Sequence, residues 1–159
     1  MEHIIKRFHS PLDWEMDAMP LELSVGLNFV TGQFSDELYM DILDNSESHL
    51  EPTYDHRDVE DVDCTDVYAH NTAMCDEVID SVKQFIGVTD KMVLINNPEN
   101  ALSVKQQYKM VGVLREIAKT NQVIVISNSL PIIMSSTEVI DMDKWMWVST
   151  PDYVKESIS

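Results

Sequence analysis

The chain is short of positive charge. Its 159 residues hold 11 Lys and Arg against 28 Asp and Glu, a formal net charge of −17 at pH 7. Binding nucleic acid through its phosphates needs net Lys and Arg, so nucleic acid is not an expected partner. The same surface suits a basic protein, or imitation of nucleic acid toward one. No run of 18 apolar residues occurs, and residues 1 to 20 are interrupted by charge throughout. Neither a membrane span nor a secretory signal is therefore expected. The only cysteines, Cys64 and Cys75, make no disulfide framework and fit a reducing, cytoplasmic setting. Their gaps to His49, His56 and His70 match no zinc-ligand spacing, so no metal is expected. Without a Gly-x-Ser-x-Gly elbow a Ser–His–Asp site has no support, and no internal repeat is visible.

What is present fits one compact domain over residues 1–159, long enough to bury a core, with an ordinary apolar fraction of 44%. The charge is uneven. From Asp36 to Asp80 fifteen Asp and Glu stand against one cation, Arg57, so this segment carries −14 of the −17. Residues at about 45–72 read as an acidic surface insert, either simply solvated or an electrostatic docking face.

Hydrophobic spacing assigns the elements. Residues 2–8 alternate as a strand, and "LELSVGLNFVTG" (21–32) reads as two short strands broken at Gly26. Residues 36–44 place Leu38, Ile42 and Leu43 on one helical face, and 45–70 is expected to be loop. Met74, Val78, Val82, Phe85 and Ile86 mark a helix over 73–86 that ends at Gly87. A strand at 92–96 leads to a helix at 103–119, capped by Ser103, with Val104, Tyr108, Val111, Leu114 and Ala118 inward. The β-branched run "QVIVIS" (122–127) suits a strand buried on both faces. A helical turn at "SLPIIM", strands at 137–142 and 144–149 and a helix at 151–157 complete the chain. Trp145 and Trp147 are expected to pack on one face. Strand–helix–strand order predicts α/β architecture, with a mostly parallel central sheet and flanking helices.

Four quoted stretches carry a resemblance. "MVLINNPENALSVKQQ" (92–107), then "VIVISNSLPIIM" (123–134) and "EVID" (138–141), resemble the second half of an ABC-type ATPase head, in the AAA-like style of repair and phage-defence systems. In that family the first strand ends in Asp-Glu-Pro-Glu-Asn. Asn96 then stands where the magnesium-associated Asp belongs, and Asn97 where the water-activating Glu belongs. Pro98, Glu99 and Asn100 match, Ala101, Leu102 and Ser103 fall on the D-loop, and Asn128 takes the switch-histidine position. "GLNFVTGQFSDELYMDIL" (26–43) resembles the strand, phosphate loop and helix of the first half. Gly26, Leu27, Asn28, Thr31 and Gly32 match. Ser35 and Glu37 replace loop glycines, Leu38 replaces the lysine and Tyr39 the metal-holding Ser or Thr. Where a signature motif would sit the chain has only "AHNTAM" (69–74). The resemblance covers about residues 20 to 143 and is specific from 92 to 134. It implies a minimal P-loop NTPase-like fold.

The chemistry of the replacements points away from catalysis. Leu38 removes the cation that neutralises phosphates, and Asp36 and Glu37 add negative charge beside it. An amide at position 97 cannot take a proton from water, so general-base assistance of about 10²–10⁴ in rate is missing. Asn128 does not change charge near neutral pH. The expectation is a non-enzymatic pseudo-ATPase without cofactor. As the resemblance implies, it docks on a genuine ABC-type ATPase and regulates it by inhibition, in a phage or mobile-element anti-defence setting; a homodimer is a variant of the same idea. Contact is expected at Glu99, Asn100, Ala101, Leu102, Ser103 and Val104, with Asp55, Asp58, Glu60, Asp61 and Asp63 steering a basic partner. Two other classes stand beside it: an acidic nucleic-acid mimic that blocks a DNA-binding protein, and an atypical nucleotide enzyme.

Overall fold

The computed structural model describes residues 4–9, 19–44, 49–52, 54–65 and 71–157. A six-stranded sheet runs through it in the order β5–β6–β7–β3–β8–β9. Its members are β3 (Leu27–Thr31), β5 (Val59–Asp63), β6 (Met92–Asn96), β7 (Gln122–Ile126), β8 (Glu138–Asp141) and β9 (Met146–Ser149). All pairings are parallel except β8 with β9. A second, antiparallel sheet joins β1 (Arg7–Phe8), β2 (Leu21–Glu22) and β4 (Leu50–Glu51). The expected α/β class with a largely parallel sheet and flanking helices is the observed one.

Alternation along the inner strands builds one core on each face of the sheet. Val93, Ile95, Val123 and Val125 point to the face covered by α2 (Thr72–Lys83), α3 (Val104–Ile117) and α4 (Leu130–Ile133). Met92, Leu94, Ile124 and Ile126 point to the other, where α1 (Ser35–Leu43) and the small sheet pack. Every residue of β6 and β7 is buried, as β-branched runs between two layers require. Ser103 caps α3 by accepting from the Gln106 N–H. A last helix, α5 (Thr150–Ser157), follows β9, and its Tyr153 packs on the α3-side core.

Several expectations are corrected. The 45–70 stretch is not loop where it is described: β4, a 3₁₀ turn (His56–Asp58) and β5 lie within it. β5 was hidden because Val59 and Val62, three apart, point to opposite faces, one into each core, so no alternation shows. Residues 45–48, 53 and 66–70 lie outside the described residues, as do residues 2–3 of the expected first strand. On α3, Val104 and Tyr108 are exposed, 56% and 57%, while Gln106 and Gln107 turn inward with Met110, Val111, Leu114 and Ile117. Leu43 and Ile86 are likewise exposed, and Cys75 and Ile79 line the inner face of α2. Trp145 and Trp147 both pack on the α1-side core, although Trp145 sits in the turn before β9 with φ 56°.

Candidate functional site at the strand ends

Parallel strands bring their C-terminal ends to one edge of a sheet, and helix starts and loops gather there. β6 and β7 pair with Asn96 opposite Ile126, and the Asn97 N–H donates to the Ile126 carbonyl at 2.8 Å. Asn97 and Asn128 therefore share an edge, and Thr31 and Gly32 join them from β3. Thr31 Oγ1 donates to Asn128 Oδ1 at 2.9 Å and lies 3.0 Å from the Tyr153 hydroxyl of α5.

On the β5–β6 side the amides have a clear role. Asn96 Nδ2 lies 3.2 Å from Asp63 Oδ1 and 3.1 Å from Thr65 Oγ1. Asn97 Nδ2 donates to Thr65 Oγ1 at 3.3 Å and to Asn96 Oδ1 at 3.0 Å. Asn100 Nδ2 reaches the Thr65 carbonyl at 2.9 Å, and Thr65 donates its N–H and hydroxyl to Asp63 Oδ1 at 3.0 and 2.7 Å. Asn97 is left-handed, φ 52° and ψ 52°, a conformation an Asn tolerates and larger side chains resist. Carboxylates at 96 and 97 would bring more negative charge against Asp63, whereas amides supply donors.

Burial pushes the Asp63 carboxyl up, but the bonds from Thr65, Asn96 and Tyr39 prevail and leave it below its ordinary value. Its neighbour Asp61 accepts from Tyr39 Oη at 3.0 Å on both oxygens. Burial and the Asp63 charge raise Asp61, opposed by the Tyr39 bond. Burial, then Asp61, holds the Tyr39 phenol well above the usual range. Glu99 is raised chiefly by burial, against the hydrogen bond from Ser127 Oγ at 2.6 Å. Cys64, buried and near Asp63, has its thiol pushed up to about 11, which leaves it unreactive.

The β3 side is closed differently. β3 ends at Thr31 and α1 starts at Ser35, leaving Gly32, Gln33 and Phe34 as the whole turn. The Gly32 N–H donates to Asn128 Oδ1 at 3.3 Å, and the Gln33 N–H to Asp143 Oδ1 at 2.8 Å. Gly32 has φ 108°, and a Cβ there would meet the Asp143 carboxyl at 3.1 Å, so only glycine admits this approach. Leu38 is fully buried in the α1-side core, and the Tyr39 hydroxyl faces Asp61.

The expected contact residues divide. Asn100, Ser103 and Val104 are exposed and Glu99 is half-buried. Ala101 and Leu102 are 1% and 7% exposed and belong to the α3-side core, so they offer no side chain to a partner. The acidic residues do not form one face. Asp55 is clasped by Arg57, whose hydrogen bonds hold its carboxyl far below the usual range, and Asp58 pairs with Lys91 at 3.2 Å. Glu60 alternates to the opposite side of β5 from Asp61 and Asp63. His49 accompanies Asp41 at 2.8 Å, His56 is exposed, Cys75 is buried, and His70 lies outside the described residues, as do Ala69 and Asp66. Among the described residues no group of three or more His, Cys, Asp and Glu could hold a metal.

Thr65, Asp143 and Tyr153 were missed as site residues. Asp143 had a visible signal, a carboxylate in the turn between two strands; Thr65 and Tyr153 had none.

No family model and no curated protein matches the sequence. The fold does have relatives among solved structures. CbiO1 from Clostridium perfringens, part of the ABC transporter complex CbiONQ, superposes with a TM-score of 0.60 at 9% identity, over 98% of this chain and 92% of that one. A bacterial Atm1-family ABC exporter with ATP bound superposes with a TM-score of 0.53 at 10% identity over 96% of this chain, which spans 39% of the exporter chain. The fold is thus that of ABC transporter ATPase domains. No helix among the described residues is long and apolar enough to cross a membrane.

Proposed function

We propose that the chain is a non-enzymatic pseudo-ATPase that docks on a genuine ABC-type ATPase complex and inhibits it. The observation that carries this reading is the turn after β3. Its Gly32 and Gln33 N–H groups, the donors a phosphate would need, already bond to Asn128 and Asp143 of the same chain. The turn is too short to wrap a phosphate chain, no lysine stands at its end, and Asp36 and Glu37 open the helix that follows. Asn96 and Asn97 spend their donors on Asp63 and Thr65 instead of offering ligands to a cation. A chain with the fold of an ATPase head and no use for nucleotide can occupy a partner head's place. Its exposed surface for this is Asn100, Ser103 and Val104, and a cytoplasmic, anti-defence setting suits the resemblance to repair and phage-defence heads. The scattering of Asp55, Asp58, Glu60, Asp61 and Asp63, most of them already partnered, gives the nucleic-acid mimic no continuous carboxylate face to stand on.

Calorimetry with millimolar Mg–ATP is expected to show no saturable heat. A specific, saturable signal would overturn the reading, and capture of an ABC-type ATPase by the tagged protein, with its hydrolysis slowed on addition, would carry it further.

A further inference from the structure

The outer faces of α1 and α3 are opposite in charge and lie on opposite sides of the central sheet. α1 turns Asp36, Glu37, Met40 and Leu43 to solvent, with Asp44 at its end. Met40 is 49% and Leu43 39% exposed, so an apolar strip is flanked by carboxylates. Between Arg7 and Lys83 the only Lys or Arg is Arg57, which is held on Asp55. Among the described residues Asp36, Glu37 and Asp44 have no ion-pair partner.

α3 is the converse. Lys105, Lys109, Arg115 and, just past its end, Lys119 are four of the 11 Lys and Arg in the chain, and all four are exposed. Lys109 lies 3.6 Å from Asp76, Lys119 2.8 Å from Glu116, and Arg115 donates to the Ser135 carbonyl, so Lys105 is the least engaged of them. They flank an exposed strip of Val104, Tyr108 and Gly112, spaced four apart and so on one line of the helix. Gly112 has no reason inside the molecule: a Cβ there would meet nothing within 4 Å, and its φ is not left-handed. A mid-helix glycine costs about 0.5–1 kcal/mol against alanine. The open space over it leaves room for a backbone from outside the molecule to come close.

We propose that the acidic α1 face of one copy docks on the basic α3 face of a second copy, with Met40 and Leu43 against the Val104–Tyr108–Gly112 strip. Because the two faces are different surfaces on opposite sides of the sheet, the contact is head-to-tail. Each copy that joins leaves one face of each kind open, so growth continues unless the rotation closes a ring. α1 is about 13 Å long by helix rise, which places the contact at the small end, below about 1,200 Å². The assembly is accordingly weak and salt-sensitive, and forms at high local concentration. It goes beyond the docking reading and does not need it.

Sedimentation velocity of the full chain from about 10 µM to about 1 mM tests this in low and high salt. Species beyond the dimer are expected in low salt and are lost in high salt. Asp36→Lys with Glu37→Lys, and separately Lys105→Glu with Lys109→Glu, should each weaken association at least about tenfold. All four positions are exposed, so circular dichroism should be unchanged. Mixing the two variants pairs the intact α1 face of one with the intact α3 face of the other, and the two charge-reversed faces with each other, so the mixture should regain the association that each variant alone has lost. Gly112→Trp should block association while keeping the fold and every charge. A chain that stays monomeric in low salt at the highest concentration overturns the proposal and leaves the α3 face to a different partner. So does an oligomer indifferent to both variants, or a mixture that associates no better than either variant alone.

Discussion

On the β5–β6 side of the strand-end edge, one carboxylate gathers a side-chain amide, a hydroxyl and a backbone N–H; on the β3 side, two backbone N–H groups each find a side-chain oxygen of their own. Asn96 and Thr65 converge on Asp63, while the Gln33 N–H meets Asp143 and the Gly32 N–H meets Asn128. Each side satisfies its polar groups from within the chain. The first supplies donors to a carboxylate, and the second supplies acceptors to backbone N–H groups. The difference teaches that two unlike arrangements lead to the same condition: an edge whose polar groups are already satisfied.

Breaking the β5–β6 side should have the largest effect. Asn96→Asp replaces a donor with a carboxylate about 3 Å from Asp63, in a site only 4% exposed. A loss of about 3 kcal/mol is expected from urea unfolding at pH 7. Asp63 raises the introduced group above its unfolded value. The penalty is therefore present above the folded pKa and fades as acid protonates it, so the deficit should shrink from about pH 7 to about pH 4. Recovery of the lost stability by Mg²⁺ at pH 7 would mean that a metal position survives, and the comparison would fail.

The β3 side should yield less. Asn128→Ala strips the acceptor of the Gly32 N–H and the Thr31 hydroxyl, and Asp143→Ala strips that of the Gln33 N–H. Each should cost about 1–2 kcal/mol, since Asn128 and Asp143 are exposed and water reaches the groups they leave. Both hold one turn, so a double-mutant cycle should show coupling above about 0.5 kcal/mol. Strict additivity would separate them.

The smallest expected effect sharpens the electrostatics between the two sides. Glu99 is raised mainly by burial, so its ionised form is disfavoured in the folded state. Stability from this group is gained as pH falls through the folded pKa and is absent above it. Glu99→Gln keeps an acceptor for Ser127 without the charge. The variant should be slightly more stable than the parent at pH 7, with the advantage vanishing below the unfolded glutamate value. Asp63 has the opposite sign: its lowered carboxyl stabilises above the unfolded value and loses that contribution as pH falls. Thermal melts across pH on Glu99→Gln and Asp63→Asn check both directions.

The inner strands could be read from sequence because burial on both faces makes them nearly all apolar; 92–96 and the neighbouring 122–127 came out within a residue. β5 could not, since an edge strand is held on one side only and its two valines serve different cores. On α3 polarity misled: Gln107 is buried because its amide donates to the Leu102 carbonyl and accepts from Ser129, while Val104 and Tyr108 face water. At the site, Asn96, Asn97 and Asn128 are singled out by the resemblance to an ABC-type head, and adjacent strand ends bring them to one edge. Thr65 and Tyr153 came from elsewhere in the chain, and only folding brings them there.

Asp143 has a thermodynamic consequence. A protein whose loop donors await a dissolved anion is stabilised by RT ln(1 + [L]/Kd), so its melting follows the supply of that anion. Here the acceptor is tethered to the loop it serves, and a tethered group acts at an effective concentration of millimolar or more that dilution does not change. Folding of this turn is thereby uncoupled from the anions around it. The chain carries its own saturating ligand, and its stability at the Gln33 N–H is the same in a starved solution as in a replete one.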